Sequence, residues 1–181
     1  MTVMIIIAIL SSAPQLHKCH DPYIGGKYYC TKAFEYIENN AKNGDARCQC
    51  FLGNWYYWGE NRYWYAEKDL SKAAYWWSES AENEYAPAYT NLGLAYKNGY
   101  GVELNFSKAM SLFKLGAEAG NALAMLYYGD CLSDDDNTGW WYDYNEGCFR
   151  PIRNIEEAKK WYKEAFRRGA TGAYERMQRL K

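Results

Sequence analysis

A chain of 181 residues is one domain or a short repeat array, long enough to bury a core. Its formal net charge of -1 leaves no basic footprint for nucleic acid or an acidic membrane surface. Aromatic residues make up 18%, with 19 Tyr and 8 Trp against only 4 Pro, a balance that suits helices with a large aromatic core or contact surface.

The apolar run from Val3 to Leu10 is too short to span a bilayer as a helix, and no membrane span is expected. It has the length of the apolar part of a secretory signal, and Ser11 to Ala13 supply small residues for a cut. Against this, no Lys or Arg precedes the run and Pro14 sits directly after the best cut position; the alternative is a buried N-terminal helix or strand. Six cysteines, an even number, fit an oxidising compartment. The expectation is a leader within residues 1–18 and a periplasmic or secreted protein.

Four later stretches repeat one another: "KAFEYIENNAKNG" from Lys32, "KAAYWWSESAENE" from Lys72, "KAMSLFKLGAEAG" from Lys108 and "EAKKWYKEAFRRG" from Glu157. Each has an alanine at its second place, Ala33, Ala73, Ala109 or Ala158, followed three and four residues on by large apolar groups. Eleven residues after the alanine stand Gly44, Glu84, Gly120 and Gly169. This spacing predicts short amphipathic helices with a stop just beyond the last turn.

A second set interleaves with the first, beginning at Ala46, Ala86 and Ala122, with Gly53, Gly93 and Gly129 seven residues later. Glycine inside a helix costs about 1 kcal/mol against alanine. It is tolerated where another helix must come close, so these positions predict tight crossings. The anchor alanines recur 40, 36 and 49 residues apart, the mark of a stacked solenoid.

The stretch "LGLAYKNGYGVELNFSKAMSLFKLGAEAG" within residues 86–120 resembles the repeat pattern of the Sel-one-like repeat (SLR) family, relatives of the tetratricopeptide repeats. The resemblance implies an all-α fold, a right-handed α-solenoid of antiparallel helix pairs. The units are a partial repeat over 19–45, repeats over 46–84, 85–120 and 121–169, an insert at 133–150 in the last, and a capping helix over 170–181. In Asn98-Gly99-Tyr100-Gly101-Val102 the glycines permit the positive φ that reverses the chain. Asp69, Asn105 or Ser107, and Asn154 with Glu157 are the expected helix caps.

All six cysteines, Cys19, Cys30, Cys48, Cys50, Cys131 and Cys148, are expected in disulfides. A Cys131–Cys148 bond would close the insert and contribute about 3 kcal/mol in the chain-entropy model. The other four allow three pairings, and their spacing does not choose. The resemblance supports such a framework, because some secreted relatives are cysteine-rich and cross-linked repeat by repeat.

The insert carries Asp134, Asp135, Asp136, Asp143 and Glu146 among Trp140, Trp141, Tyr142 and Tyr144. Asp134, Asp136, Thr138 and Gly139 match the start of a calcium loop, but the twelfth position is Asn145 instead of glutamate. No metal or other cofactor is expected. The sharper reading makes Asp135, Asp136, Trp140, Trp141, Tyr142 and Tyr144 a partner-binding loop; the plainer one is a solvated acidic loop. Tyr75, Trp76 and Trp77 point about 100° apart on one helix. One of them is therefore expected near the concave face, and Trp77 is the candidate.

The only histidines, His17 and His20, lie near the N-terminus, which leaves no Ser-His-Asp or Cys-His arrangement for the repeats. No dinucleotide fingerprint, phosphate loop or HExxH is present. The expected protein is a non-enzymatic scaffold whose partner is another protein. The resemblance implies three roles: an immunity protein that neutralises a secreted toxin, such as a phospholipase effector of type VI secretion; an adaptor in envelope assembly, secretion or host contact; or a penicillin-binding, weakly hydrolytic relative.

Overall fold

The first helix of each repeat is cut by a glycine and the second is anchored by a buried alanine, and the two kinds alternate along the chain. A computed structural model describes residues 26–59, 67–133 and 154–180. Among them are eight helices and no strand: α1 (Gly26–Lys42), α2 (Ala46–Trp58), α3 (Leu70–Glu82), α4 (Ala86–Asn98), α5 (Phe106–Glu118), α6 (Ala122–Ser133), α7 (Ile155–Arg167) and α8 (Ala173–Arg179). Each helix packs on its neighbours in the chain, and α4 also reaches α6. The result is an α-solenoid of three hairpins, α2–α3, α4–α5 and α6–α7, with α1 stacked before them and α8 after.

The predicted anchors Ala73, Ala109 and Ala158 are fully buried. The predicted stops all adopt left-handed backbone, with φ of 90° at Gly44, 58° at Glu84, 89° at Gly120 and 84° at Gly169. Each is closed by the same hydrogen bond one residue further on, the amides of Asp45, Tyr85, Asn121 and Ala170 donating to the carbonyls of Asn40, Ser80, Gly116 and Ala165 at 2.9–3.1 Å. This is the Schellman closure, for which glycine has no Cβ penalty. Glu84 is the one non-glycine residue with positive φ among the described residues.

Side chains cap the helix starts. Asp69, Asn105 and Asn154 accept from the amides of Lys72, Lys108 and Glu157 at 2.9, 2.8 and 3.1 Å. The Asn154–Glu157 pair departs from the reciprocal box, because the Asn154 amide group donates to the Glu157 carboxylate at 2.9 Å while its backbone N–H turns elsewhere. That N–H donates to the Leu132 carbonyl at 2.9 Å, just as Asp69 N–H donates to Tyr56 and Asn105 N–H to Tyr96 at the same distance. One clasp therefore closes three inter-helix turns of very different length. In the middle one Gly99 is left-handed, and a Cβ on Gly101 would fall on the Leu70 carbonyl of the preceding repeat.

Candidate functional site

Each hairpin is keyed by a ring set into a glycine notch. An ideal Cβ on Gly53 would lie 2.5 Å from the Trp77 ring, one on Gly93 2.7 Å from Phe113, and one on Gly129 2.6 Å from Tyr162. The glycines predicted at tight crossings are therefore where a second-helix ring enters. Beside each ring stand the residue after the glycine (Asn54, Leu94 or Asp130) and one residue from the next first helix (Asn91, Tyr127 or Arg176).

The three junctions use one geometry with three chemistries. In the first, Asn54 Oδ1 accepts from Trp77 Nε1 at 3.0 Å and from Asn91 Nδ2 at 2.9 Å. The second is apolar on this side: Phe113 packs with its centroid 5.2 Å from that of Tyr127, and Leu94 stands where the others carry an acceptor. In the third, Asp130 Oδ1 accepts from the Tyr162 hydroxyl at 2.9 Å and from Arg176 Nε at 2.7 Å.

Asp130 is 2% exposed. Burial pushes its carboxyl up to about 6, although Arg176, Tyr162 and Lys97 all pull the other way. Burial also holds Lys97 below the usual lysine range, and it raises Tyr162 with help from Asp130. The Tyr162 hydroxyl also reaches Ser133 Oγ at 3.2 Å. With Asp130 and Tyr162 closed to solvent, this cluster is a clamp between repeats and not a catalytic centre.

Trp77, expected near the concave face, is instead a core residue: it is 4% exposed, with its ring in the Gly53 notch. The notch takes the residue four positions after the alanine, so Trp76 is half-buried and Tyr75 becomes the exposed ring of the trio. Asp135, Asp136, Trp140, Trp141, Tyr142 and Tyr144 lie outside the described residues, as do Cys19, Cys148 and the Cys30 side chain. Cys48, Cys50 and Cys131 are buried thiols with no disulfide among the described residues. Burial pushes the Cys48 and Cys50 thiols up to about 12, so neither is a ready nucleophile at neutral pH. Cys131 faces the Tyr127 carbonyl at 3.1 Å.

The clamp residues were not found from sequence, yet a signal was there. Read in register, Asn-Trp, Leu-Phe and Asp-Tyr change polarity together at the residue after the glycine and the ring it meets.

Two surface clefts occupy related places in the first and second repeats. A cleft of about 360 Å³ is lined by Phe34, Tyr56, Glu67, Lys68, Asp69 and Lys72, and Lys72 Nζ lies 5.3 Å above the Tyr56 ring. One of about 390 Å³ is lined by Leu92, Tyr96, Ser107, Lys108, Ser111, Leu112 and Leu115, with Lys108 Nζ 5.2 Å above Tyr96. Among the described residues no group of His, Cys, Asp and Glu is placed to hold a metal, and no helix is long and apolar enough to cross a membrane.

Helix pairs keyed by glycine notches and stacked end to end define a repeat solenoid of the kind used for protein–protein contact. The profile of the Sel1 repeat matches residues 46–85, 86–121 and 122–169, and the chain belongs to the Sel1 repeat family. Among solved structures it is similar to a Sel1 repeat protein from Oxalobacter formigenes, with 24% identity and a TM-score of 0.64 over 80% of this chain and 51% of that one. It is also similar to a protective antigen of uropathogenic Escherichia coli strains that displays an SLR fold, with 30% identity and a TM-score of 0.59 over 75% of this chain and 26% of that one. The chain thus spans about half of the first structure and a quarter of the second. No curated protein matches it.

Proposed function

We propose that the chain is an exported, non-enzymatic protein-binding scaffold, and that its role is to neutralise a secreted toxin. The observation that carries the binding role is the uninterrupted run of three Sel1 repeats, units that generally serve as protein-interaction scaffolds. The apolar run Val3–Leu10 and the six cysteines support export to the periplasm or beyond. An acidic, aromatic insert peculiar to one repeat favours a dedicated inhibitor, of a phospholipase-type effector for example, over a general envelope adaptor.

In this reading Trp140, Trp141 and Tyr144 are the anchors, Asp135 and Asp136 steer the approach, and Cys131–Cys148 closes the loop. The partner to test is the product of a toxin gene, if one is found beside this one; a secretion or polysaccharide cluster there favours the adaptor role instead. Calorimetry with that partner then compares wild type with Trp140→Ala/Trp141→Ala, which loses at least about 2 kcal/mol, roughly thirtyfold in Kd. Equal affinity after a short Gly-Ser turn replaces the insert removes the loop from the role. Six free thiols in protein drawn from its native compartment would end the exported reading.

A further inference from the structure

We infer that the cleft of the second repeat is a docking groove for a partner segment that presents an aromatic side chain beside a carboxylate. This rests on the scaffold reading above and says where the scaffold takes hold and of what.

The chain supplies its own comparison, because the cleft of the first repeat lies over Tyr56, Asp69 and Lys72 but not over Tyr75 and Trp76, whereas that of the second lies over the matching Ser111 and Leu112. At the position of Leu112 the neighbouring repeats carry Trp76 and Trp161. Trp76 packs toward the cluster around Leu52 and Trp55, and Trp161 meets Tyr128 edge-on at 5.6 Å. Ser111 likewise replaces Tyr75 and Lys160. Two large side chains have thus become small in one place, and the cleft of about 390 Å³ lies over both.

The lip has changed in the opposite sense. Leu115 stands where Glu79 and Glu164 stand in the other repeats, and it is 47% exposed. A half-exposed leucine at a position that is charged in the other repeats gives the cleft an apolar wall. Together with Leu92, Tyr96 and Leu112 it lines an open, mostly apolar cleft against which a flat ring can lie.

Charge completes the description. Lys72 of the first repeat is ion-paired at 3.2 Å with Asp69, the cap of its own helix. In the second repeat the cap is the neutral Asn105, and among the described residues Lys108 has no ion pair, only the Tyr96 ring 5.2 Å beneath its Nζ. Of the two repeats with a lysine at this position, the one that lost its large side chains also lost the carboxylate that pairs with it. What is missing from the groove is therefore an aromatic ring and an anion, side by side, and a partner such as a peptide with adjacent Trp and Asp restores both.

N-acetyl-tryptophan is the minimal probe, titrated into the full chain and followed by amide NMR. Shifts should centre on Leu92, Tyr96, Lys108, Leu112 and Leu115, and N-acetyl-tryptophanamide should bind about threefold more weakly, the size of one exposed ion pair. Leu112→Trp, which refills the hole as Trp76 does in the first repeat, and, separately, Ser111→Tyr, which sets a ring over it, should abolish the shifts while the melting temperature holds. Scattered shifts, or shifts that survive in both variants, overturn the groove. Equal binding of the amide overturns the carboxylate half. Dimerisation of wild type that Leu112→Trp removes means that the occupant is a second copy of the chain, which also overturns it. A cognate toxin bound equally by wild type and Leu112→Trp sinks the groove alone and leaves the scaffold reading standing.

Discussion

The first and third junctions solve one packing problem with different chemistry. At Asn54 two neutral donors meet an amide oxygen, whereas at Asp130 a hydroxyl and a guanidinium meet a carboxylate that is 2% exposed. The middle junction does without a polar clamp, since Leu94 and Phe113 leave nothing on that side to satisfy. The lesson is that polarity at this site is optional but must be matched: each buried acceptor comes with its donors, and each apolar pair leaves none orphaned.

Unbalancing the charged junction should do the most damage. Arg176→Met strands Asp130 beside Tyr162 and should destabilise by about 3 kcal/mol, read by denaturant unfolding, because removing one partner of a buried pair leaves the other uncompensated. Little or no loss would mean that α8 contributes nothing to the stack through this contact.

The charged junction should also leave a pH signature that the amide junction lacks. The Asp130 pKa is raised in the folded state, from an ordinary 3.8 to about 6, so the folded protein holds this proton more tightly than the unfolded chain does. The group's stabilising contribution is complete below about 4 and is lost as pH rises through about 6. Wild type minus Asp130→Asn isolates it: the difference in melting temperature should fall across that window. A flat difference would put the carboxyl near its ordinary value.

Size can be set against polarity at the middle repeat. Ala109→Leu should cost about 2 kcal/mol by overpacking a crossing where the alanine is fully buried. An unchanged melting curve would mean that the crossing relaxes without cost.

The smallest loss belongs to the amide junction. Asn91→Ala removes the hydrogen bond to Asn54 and a long one to Cys50 Sγ at 3.5 Å but leaves Asn54 still bonded to Trp77, which should cost about 1 kcal/mol. A loss equal to that of Arg176→Met would erase the distinction between the two junctions.

Much of this architecture was legible in the sequence because glycine and alanine at fixed spacing have few other uses. The four stops, the three notches, the buried anchors and the Asp69, Asn105 and Asn154 caps all followed from period and residue type. The direction of a ring within its helix did not. Trp77 reads equally well as surface or core until the glycine that receives it is paired with it across the hairpin. The Asp130–Arg176 pair was hidden for a similar reason, since it joins residues of helices that are not consecutive in the chain. The groove over Leu112 is visible only as a departure from the other repeats, once structure has fixed which positions correspond.

The hydrogen bond from each cap residue back to Tyr56, Tyr96 or Leu132 has a consequence for how such a chain can change. It brackets residues 57–68, 97–104 and 133–153 and fixes the exit and re-entry points of the chain at one separation. Each doubling of a flexible loop costs only about 0.6 kcal/mol in closure entropy, so the longest bracket is less than about 1 kcal/mol dearer than the shortest. The clasp makes the length of these turns adjustable: residues can be added or lost under selection for new partners at little cost to the helices behind them, provided that a contact such as that of Gly101 with Leu70 is kept.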